Sequence, residues 1–418
     1  MSTRIVYLNN DAHLAGQLSL PRSKSISNRL LIIKALCNED FNLLNLAQST
    51  DTNILFDILK TFEHTASTQQ FDVGDAGTSF RFLTAFFAGI EEVDIILKGT
   101  HRMHQRPISQ LVDALNELGA EISYLEQKGF PQLQIKGKKL SGGEIHMNGE
   151  VSSQYISALC LIAPTLKDGL KIELLGKLVS APYLDMTLQL MAKFGIEVYF
   201  GHNAIEIKPQ TYFAHDYVVE ADWSSVCFFY AMAMISNTAQ IHCKGLQMES
   251  IQGDVYIQKL AKDFAIDTTF VEDGILIAKE NNSNPKVNQI YDLGAYPDLA
   301  IPIIVACGIR YPKVNFRGLH HLIYKESNRI QALQNELAKA GIQLLQEGDL
   351  LSFTHTESIS GSSSIYFETY NDHRMAMALS LFALVGYTVI LDNVTCVQKS
   401  FPDYFEQLAI LGFEMQDL

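Results

Sequence analysis

Five stretches of the chain combine fixed charge with settings where such charge is out of place. Pro-Arg-Ser-Lys-Ser-Ile-Ser-Asn-Arg (21–29) reads as a helix start rich in capping side chains, yet it carries Lys24 and Arg29. Gly-Asp-Ala-Gly-Thr-Ser-Phe-Arg (74–81) is a glycine-containing loop opening a helix, fit to cradle a phosphate or carboxylate with backbone N–H groups. A plain turn is the simpler reading of a Gly-x-x-Gly spacing alone. His-Arg-Met-His-Gln-Arg-Pro (101–107) sets His101 and His104 at a spacing that could suit a metal, but no third ligand is evident. Tyr-Lys-Glu-Ser-Asn-Arg (324–329) begins another helix, and Tyr-Asn-Asp-His-Arg (370–374) is followed by Lys-Ser-Phe-Pro (399–402).

The elements that position these residues are helices with polar starts and bodies that are apolar nearly all round. Residues 23–29 lead into Leu30–Leu36, 74–81 into Phe82–Ala88, and 152–154 into Tyr155–Ala163. Residues 222–225 lead into Val226–Ile235, and 371–374 into Met375–Leu384. A helix apolar on all sides is a buried helix. Capping explains Ser, Thr, Asp and Asn at its start. It does not explain Lys24, Arg29, Arg81 or Arg374, because cations there oppose the helix dipole. They make sense if an anion sits before the helix and binds both. Several such starts facing one cleft would make a strong anion receptor.

A second helix type alternates with the first. Apolar residues at i, i+3, i+4 and i+7 run into Gly and then a short alternating strand. Copies run 111–122, 188–198, 330–344 and 404–415, through Gly119, Gly195, Gly341 and Gly412. Weaker copies at 54–62 and 255–267 lack the glycine, and Ala265 takes its place in the latter. The six helix starts, near 54, 110, 187, 255, 330 and 404, are too far apart for a solenoid. Each copy therefore reads as a βαβ-type subdomain, although helix–Gly–strand joints are common in any α/β protein.

The 418 residues predict two or three domains, and 47% hydrophobic with 19% charged residues is globular composition. A net charge of −14 argues against nucleic acid or an anionic membrane as the main partner, but not against a small anionic substrate. The longest strongly apolar stretch, Leu379–Leu391, is broken by Gly386 and is shorter than the roughly 18–20 residues of a membrane span. Met1–Asn10 holds a short strand-like run, Ile5–Leu8, and no signal-peptide core. The six cysteines (37, 160, 227, 243, 307, 396) form no CxxC pair and no metal spacing, as expected of buried thiols in a reducing cytosol.

Taken together, these stretches resemble the 5-enolpyruvylshikimate-3-phosphate synthase family. The resemblance covers nearly the whole chain. It is carried by residues 23–29, 74–81 and 101–107, by Val-Ser-Ser-Gln-Tyr (151–155), Leu-Val-Ser-Ala-Pro-Tyr (178–183) and Pro-Asp (297–298). It continues through Lys-Glu-Ser-Asn-Arg (325–329), Asn-Asp-His-Arg-Met-Ala-Met (371–377) and Lys-Ser-Phe-Pro-Asp-Tyr (399–404). It implies an α/β fold of two similar domains, each three copies of a βαβαββ unit with buried helices. Domain one would be 1–20 plus 220–418, domain two 21–219, with the active site in the cleft between them. The implied protein is a cytoplasmic monomer that needs no metal or organic cofactor.

The implied reaction moves the enolpyruvyl group of phosphoenolpyruvate onto the 5-hydroxyl of shikimate 3-phosphate by addition and then elimination of phosphate. Both reactants carry a phosphate and a carboxylate, so fixed cations are needed, and the forked guanidinium of Arg suits them. Carried over position by position, Lys24, Ser25, Arg29, Ser152, Ser153, Gln154, Ser180, Tyr183, Asp298, His321 and Lys325 would hold shikimate 3-phosphate. Lys24, Asp75, Gly77, Thr78, Arg81, Arg106, Gln154, Arg329, Arg374 and Lys399 would hold phosphoenolpyruvate. Asp298 would take the hydroxyl proton, Glu326 would transfer the proton at C3, and Lys24 and Lys399 would assist at the leaving phosphate. The plainer readings are a helix cap after Pro297 for Asp298 and a first-turn carboxylate favoured by the dipole for Glu326.

Some positions depart from the family pattern. Arg22 stands where Gly is usual, Asp75 where Asn is common, Phe82 for Pro, His321 for Asn and Ile323 for a frequent Arg. Sensitivity to glyphosate is expected, since Gly77 leaves room where a bulkier residue would crowd that inhibitor. The sister family that uses UDP-N-acetylglucosamine carries a reactive Cys before Pro-Arg, a context none of these cysteines has. A non-catalytic relative would have lost Asp298, Glu326, Lys24 or Lys399, and all are present.

Overall fold

The computed structural model describes residues 2–8, 13–150, 152–176, 178–201, 203–280, 284–355 and 359–418; Val151, quoted above in a motif, lies outside them. The chain divides into two compact units, Met1–Arg22 with Glu220–Leu418, and Ser23–Val219. Pro21 and Arg22 go with the first unit. The Asp222 amide donates to the Pro21 carbonyl at 2.9 Å, and Arg22 bridges to Ala221.

Twelve α-helices occur among the described residues. In the second unit they are α1 (Lys24–Leu36), α2 (Thr50–Thr61), α3 (Gly77–Ala88), α4 (Ser109–Glu117), α5 (Ser153–Ile162) and α6 (Ala181–Lys193). In the first unit they are α7 (Trp223–Ile235), α8 (Ile257–Asp263), α9 (Pro297–Arg310), α10 (Arg329–Lys339), α11 (His373–Leu379) and α12 (Tyr404–Ile410). The odd-numbered helices are the apolar ones. Every residue of α7 is buried, and each large side chain such as Phe228 or Phe229 contributes roughly 1.5–3 kcal/mol by leaving water. The periodic segments of the second type fall on the even-numbered helices. The sequence reading names five buried helices, and α9 is the sixth. Pro302 inside it breaks the pattern by which the others are recognised.

Five four-stranded sheets share one topology, a parallel pair extended by two antiparallel strands. In one of them Thr68–Asp72 runs parallel to Asp94–Lys98 with α3 between them in sequence, and Leu133–Lys136 and Glu121–Tyr124 follow antiparallel after α4. The C-terminal copy lacks its own last strand and borrows Arg4–Leu8 from the N-terminus, between Thr388–Leu391 and Phe413–Asp417. Inward and outward side chains alternate, as in Thr238–Lys244, where Ala239, Ile241 and Cys243 are buried.

All the even helices but α2 end as the sequence pattern predicts. Gly119, Gly195, Gly341 and Gly412 follow α4, α6, α10 and α12 with φ between +80° and +99°. Ala265 takes the same left-handed conformation after α8, at φ +57°. The copy built on α1 and α2 is reduced, its sheet being only Leu43–Leu44 beside Tyr217–Val218. Phe62 ends α2 in an extended conformation, so the chain does not turn back into a hairpin but runs on to Thr68–Asp72 of the next copy. The cysteines are free thiols, five buried and Cys37 half-buried. Among the described residues no helix is long and apolar enough to cross a membrane.

Candidate active site

In the first unit the starts of α9, α10 and α11 deliver Asp298, Arg329 and Arg374 to one another. Arg374 Nη2 lies 2.9 Å from Asp298 Oδ2, and its Nη1 donates to the Asp298 carbonyl at 2.8 Å. That carbonyl is available because the residue four positions on is Pro302, which has no N–H to complete the helical ladder. Arg374 Nη2 also donates to Ser224 Oγ at 3.0 Å. Arg329, only 1% exposed, donates from Nε to Asp372 Oδ2 at 2.8 Å and from Nη2 to Asp372 Oδ1 at 3.1 Å and Glu326 Oε2 at 2.9 Å. Its Nη1 is 3.9 Å from Asp298 Oδ1.

Asp372 is the hub of this cluster. It caps α11 by accepting from the Arg374 amide at 3.0 Å, accepts from Ser327 Oγ at 3.0 Å, and is fully buried. Burial works against the Arg329 cation, but Asp372 and Glu326 overcome it and raise its pKa. Burial likewise pushes the Asp298 carboxyl up, yet Arg374, Lys325 and Arg329 together hold it below its ordinary value. His321, in the turn His320–Tyr324, is buried, and neither ring nitrogen has a hydrogen-bond partner among the described residues. Burial first, then Lys325 and His320, push its pKa down to about 3, so the ring is neutral. Lys399 is buried at the end of the turn Thr395–Lys399, which packs against α11.

In the second unit Lys24 Nζ lies 3.1 Å from the buried carboxylate of Asp51, at the start of α2. Arg29 donates to Thr187 Oγ1 at 2.7 Å, the Ser25 carbonyl at 2.8 Å and the Tyr183 carbonyl at 2.9 Å. Burial pushes its pKa down to about 10. Ser180, at φ +55°, starts α6. Ser152 caps α5 by accepting from the Gln154 amide at 3.3 Å, Ser153 is buried, and Gln154 Nε2 donates to Thr78 Oγ1 at 3.1 Å.

Around the start of α3, Arg81 Nη1 donates to the Gly77 carbonyl at 2.7 Å, and Arg106 Nη1 to the Asp75 carbonyl at 3.3 Å. The buried Nε of Arg106 has no hydrogen-bond partner among the described residues. Its guanidinium lies against Gly77 so closely that a Cβ there would stand 2.5 Å from Nη2. Ala76 gives α3 no side-chain cap, so first-turn amides and a buried guanidinium meet at one place, an arrangement that suits a carboxylate or phosphate. The Asp75 carboxylate accepts from the Thr100 hydroxyl.

The structure therefore joins Asp298, Glu326, Arg329 and Arg374 in one group, with Lys325 and His321 coupled to it through charge. It joins Gly77, Asp75, Arg81 and Arg106 in a second, Gln154 with Thr78, and Arg29 with Ser25 and Tyr183. His101 and His104 are not drawn to a common point, since His101 faces Gln105 at 2.9 Å and His104 faces Glu126 at 3.1 Å. Elsewhere Glu144, His146 and Glu173 approach one another on a sheet surface, but Lys171 bridges the two carboxylates at 3.1 and 2.8 Å. Sequence reasoning missed Asp372, Asp51 and Pro302. The first two read as ordinary helix-start acids, and only the paired cation reveals more.

Comparison with known proteins bears on what these groups serve. Residues 8–408 match the model of the family described as EPSP synthase (3-phosphoshikimate 1-carboxyvinyltransferase). A 3-phosphoshikimate 1-carboxyvinyltransferase of Bacteroides fragilis is 39% identical over 407 residues, covering 97% of each chain. One from Colwellia psychrerythraea is 34% identical over 426 residues, covering 96% of this chain and 98% of its own. The solved EPSP synthase of Acinetobacter baumannii superposes with a TM-score of 0.77 over the full length of both chains at 19% identity, a likeness of fold.

Proposed function

The chain belongs to the EPSP synthase family, and on that footing we propose how its own residues carry the 3-phosphoshikimate 1-carboxyvinyltransferase reaction. The enzyme transfers the enolpyruvyl group of phosphoenolpyruvate to the 5-hydroxyl of shikimate 3-phosphate and releases phosphate, within the shikimate pathway to aromatic amino acids. Lys24, Ser25, Arg29, Ser152, Ser153, Gln154, Ser180 and Tyr183 bind shikimate 3-phosphate, together with Asp298, His321 and Lys325. A neutral His321 with two unpartnered nitrogens suits sugar-like hydroxyls. Gly77, Thr78, Arg81, Arg106, Arg329, Arg374, Lys399, Lys24 and Gln154 bind phosphoenolpyruvate. Asp75 contributes through its carbonyl, which holds Arg106, while its carboxylate is turned to Thr100.

In the addition step Asp298 takes the proton of the 5-hydroxyl, the oxygen bonds to C2 of phosphoenolpyruvate, and C3 receives a proton from Glu326. In the elimination step C3 returns a proton to Glu326, the C2–O bond to phosphate breaks, Lys24 and Lys399 stabilise the departing charge, and the proton held by Asp298 leaves with the phosphate. The observation that carries this reading is the Arg374–Asp298 contact. In the free enzyme Arg374 keeps Asp298 ionised and weakly basic. An incoming phosphoenolpyruvate carboxylate draws on the same guanidinium, and Asp298 gains basicity as its share of the cation falls. The base is thus armed by the co-substrate it needs. No nucleic acid takes part, and the enzyme works as a cytoplasmic monomer.

The test is phosphate release from phosphoenolpyruvate, measured with shikimate 3-phosphate or UDP-N-acetylglucosamine as acceptor, in the wild type and in Asp298→Ala. Release is expected only with shikimate 3-phosphate and only in the wild type. Undiminished release in the variant would remove Asp298 from the role of base.

A further inference from the structure

The cluster around Asp372 depends on an unusual piece of backbone. Tyr370 and Asn371, immediately before it, are both left-handed, at φ +54° and +53°. Side chains other than glycine rarely adopt that conformation even singly, and two in succession persist only where the surroundings impose them. The surroundings here are specific. Tyr370 donates its hydroxyl to Glu336 Oε1 at 2.8 Å and accepts from Asn335 Nδ2 at 3.1 Å. Asn393 Nδ2 donates to Asn371 Oδ1 at 3.0 Å, and the Asp372 amide donates back to the Thr369 carbonyl at 2.9 Å.

Glu336 is 1% exposed and is itself fixed. Its Oε2 accepts from Lys339 Nζ at 2.6 Å and from the Glu368 amide at 2.9 Å. It stands seven residues after Arg329 on α10, which brings it back to the same helix face two turns on. One helix therefore grips the segment 370–372 at both ends, Arg329 holding the Asp372 carboxylate and Glu336 holding the Tyr370 hydroxyl.

We propose that Glu336, acting through Tyr370, is a positioning residue for phosphoenolpyruvate binding: it fixes the left-handed turn that aims Asp372, and Asp372 sets the guanidinium of Arg329 and the start of α11 that bears Arg374. The proposal rests on the reading that Arg329 and Arg374 bind phosphoenolpyruvate. Neither Glu336 nor Tyr370 touches a reacting group. Their effect is on where the two cations stand, so it falls first on affinity for phosphoenolpyruvate and reaches kcat to a smaller degree through the Arg374–Asp298 contact.

The experiment is steady-state kinetics of full-length Tyr370→Phe, with each substrate varied at saturation of the other, alongside Arg374→Lys and thermal unfolding. Tyr370→Phe removes one hydroxyl and leaves Glu336 with two of its donors, so the variant folds on its remaining packing. KM for phosphoenolpyruvate is expected to rise by about five- to twentyfold, with KM for shikimate 3-phosphate within about twofold of wild type and kcat lowered by a smaller factor than KM is raised. Glu336→Gln keeps an acceptor for the tyrosine and is expected to be milder. An unchanged KM for phosphoenolpyruvate in Tyr370→Phe, while Arg374→Lys raises it, would overturn the proposal alone. A fall in both affinities, kcat and melting temperature together would overturn it too, by showing a merely structural bond. If Arg374→Lys also leaves KM for phosphoenolpyruvate unchanged, the failure lies with the assignment of the arginines.

Discussion

Arg374 holds Asp298 by two atoms at once, its Nη2 2.9 Å from the carboxylate and its Nη1 donating to the backbone carbonyl at 2.8 Å. A cation that grips both the side chain and the backbone of Asp298 fixes where that carboxylate stands as well as its charge. The second grip exists because Pro302 cannot donate to that carbonyl.

The charge effect sets a pH dependence. Partial burial pushes the Asp298 carboxyl up, but Arg374, Lys325 and Arg329 leave it lowered. A carboxyl whose folded pKa is depressed adds stability that is present above its unfolded value, about 3.9, and is lost as pH falls through the folded value. The acid limb of kcat/KM that reports this base is therefore expected below about pH 4 in the free enzyme. In Arg374→Gln the leading cation is gone and burial is less opposed, so the limb moves to higher pH. A limb that stays in place in the variant's pH–rate profile would show that Arg374 is not what keeps Asp298 ionised.

The positional effect can be tested apart from charge. Pro302→Ala restores an N–H aimed at the Asp298 carbonyl, in competition with Arg374 Nη1. A several-fold loss in kcat/KM for phosphoenolpyruvate is expected, roughly 1 kcal/mol of transition-state binding. The melting temperature should hold or rise, since an interior helix gains a hydrogen bond. Wild-type kinetics in this variant would mean the carbonyl serves both donors without cost.

Much of this was legible in the residues. The cations Lys24, Arg29, Arg81 and Arg374 stood out because capping could not account for them, and the structure sets them against Asp51, the carbonyls of Ser25 and Tyr183, the Gly77 carbonyl and Asp298. The helix–Gly–strand pattern located α4, α6, α10 and α12, since a left-handed residue after a helix leaves a visible glycine. What was not legible depended on distant pairing. Asp372 and Asp51 look like ordinary helix-start acids until Arg329 and Lys24 are seen against them. The helix α9 was hidden by Pro302, which reads as a break and is in fact tolerated because Arg374 satisfies the freed carbonyl. Nor does spacing show that Arg29 spends its donors on Thr187 and the carbonyls of Ser25 and Tyr183.

Gly77 tests the proposed assignment of Arg106 to phosphoenolpyruvate. A Cβ there would come within 2.6 Å of three atoms of the Arg106 guanidinium, so Gly77→Ala must move Arg106. KM for phosphoenolpyruvate is expected to rise by about tenfold or more, with KM for shikimate 3-phosphate nearly unchanged. Glyphosate is expected to inhibit the wild type and to lose potency in the variant, because the displaced arginine narrows the same space. Wild-type turnover untouched by millimolar glyphosate would refute the first expectation, and an unaltered inhibition constant in Gly77→Ala the second.

The last prediction concerns stability alone. Ala265 occupies the left-handed position after α8 that glycine fills after α4, α6, α10 and α12. An alanine there bears a steric cost of about 1–2 kcal/mol between its Cβ and the backbone, which glycine avoids. Glycine also has more freedom to lose on folding, so the net gain from Ala265→Gly is expected to be about 0.5–1 kcal/mol, or roughly 1–4 °C in melting temperature for a unit of this size. Kinetic constants should not change, since the turn lies outside every cluster described above. A variant that melts lower than wild type would mean that the methyl of Ala265 makes a packing contribution larger than its conformational cost.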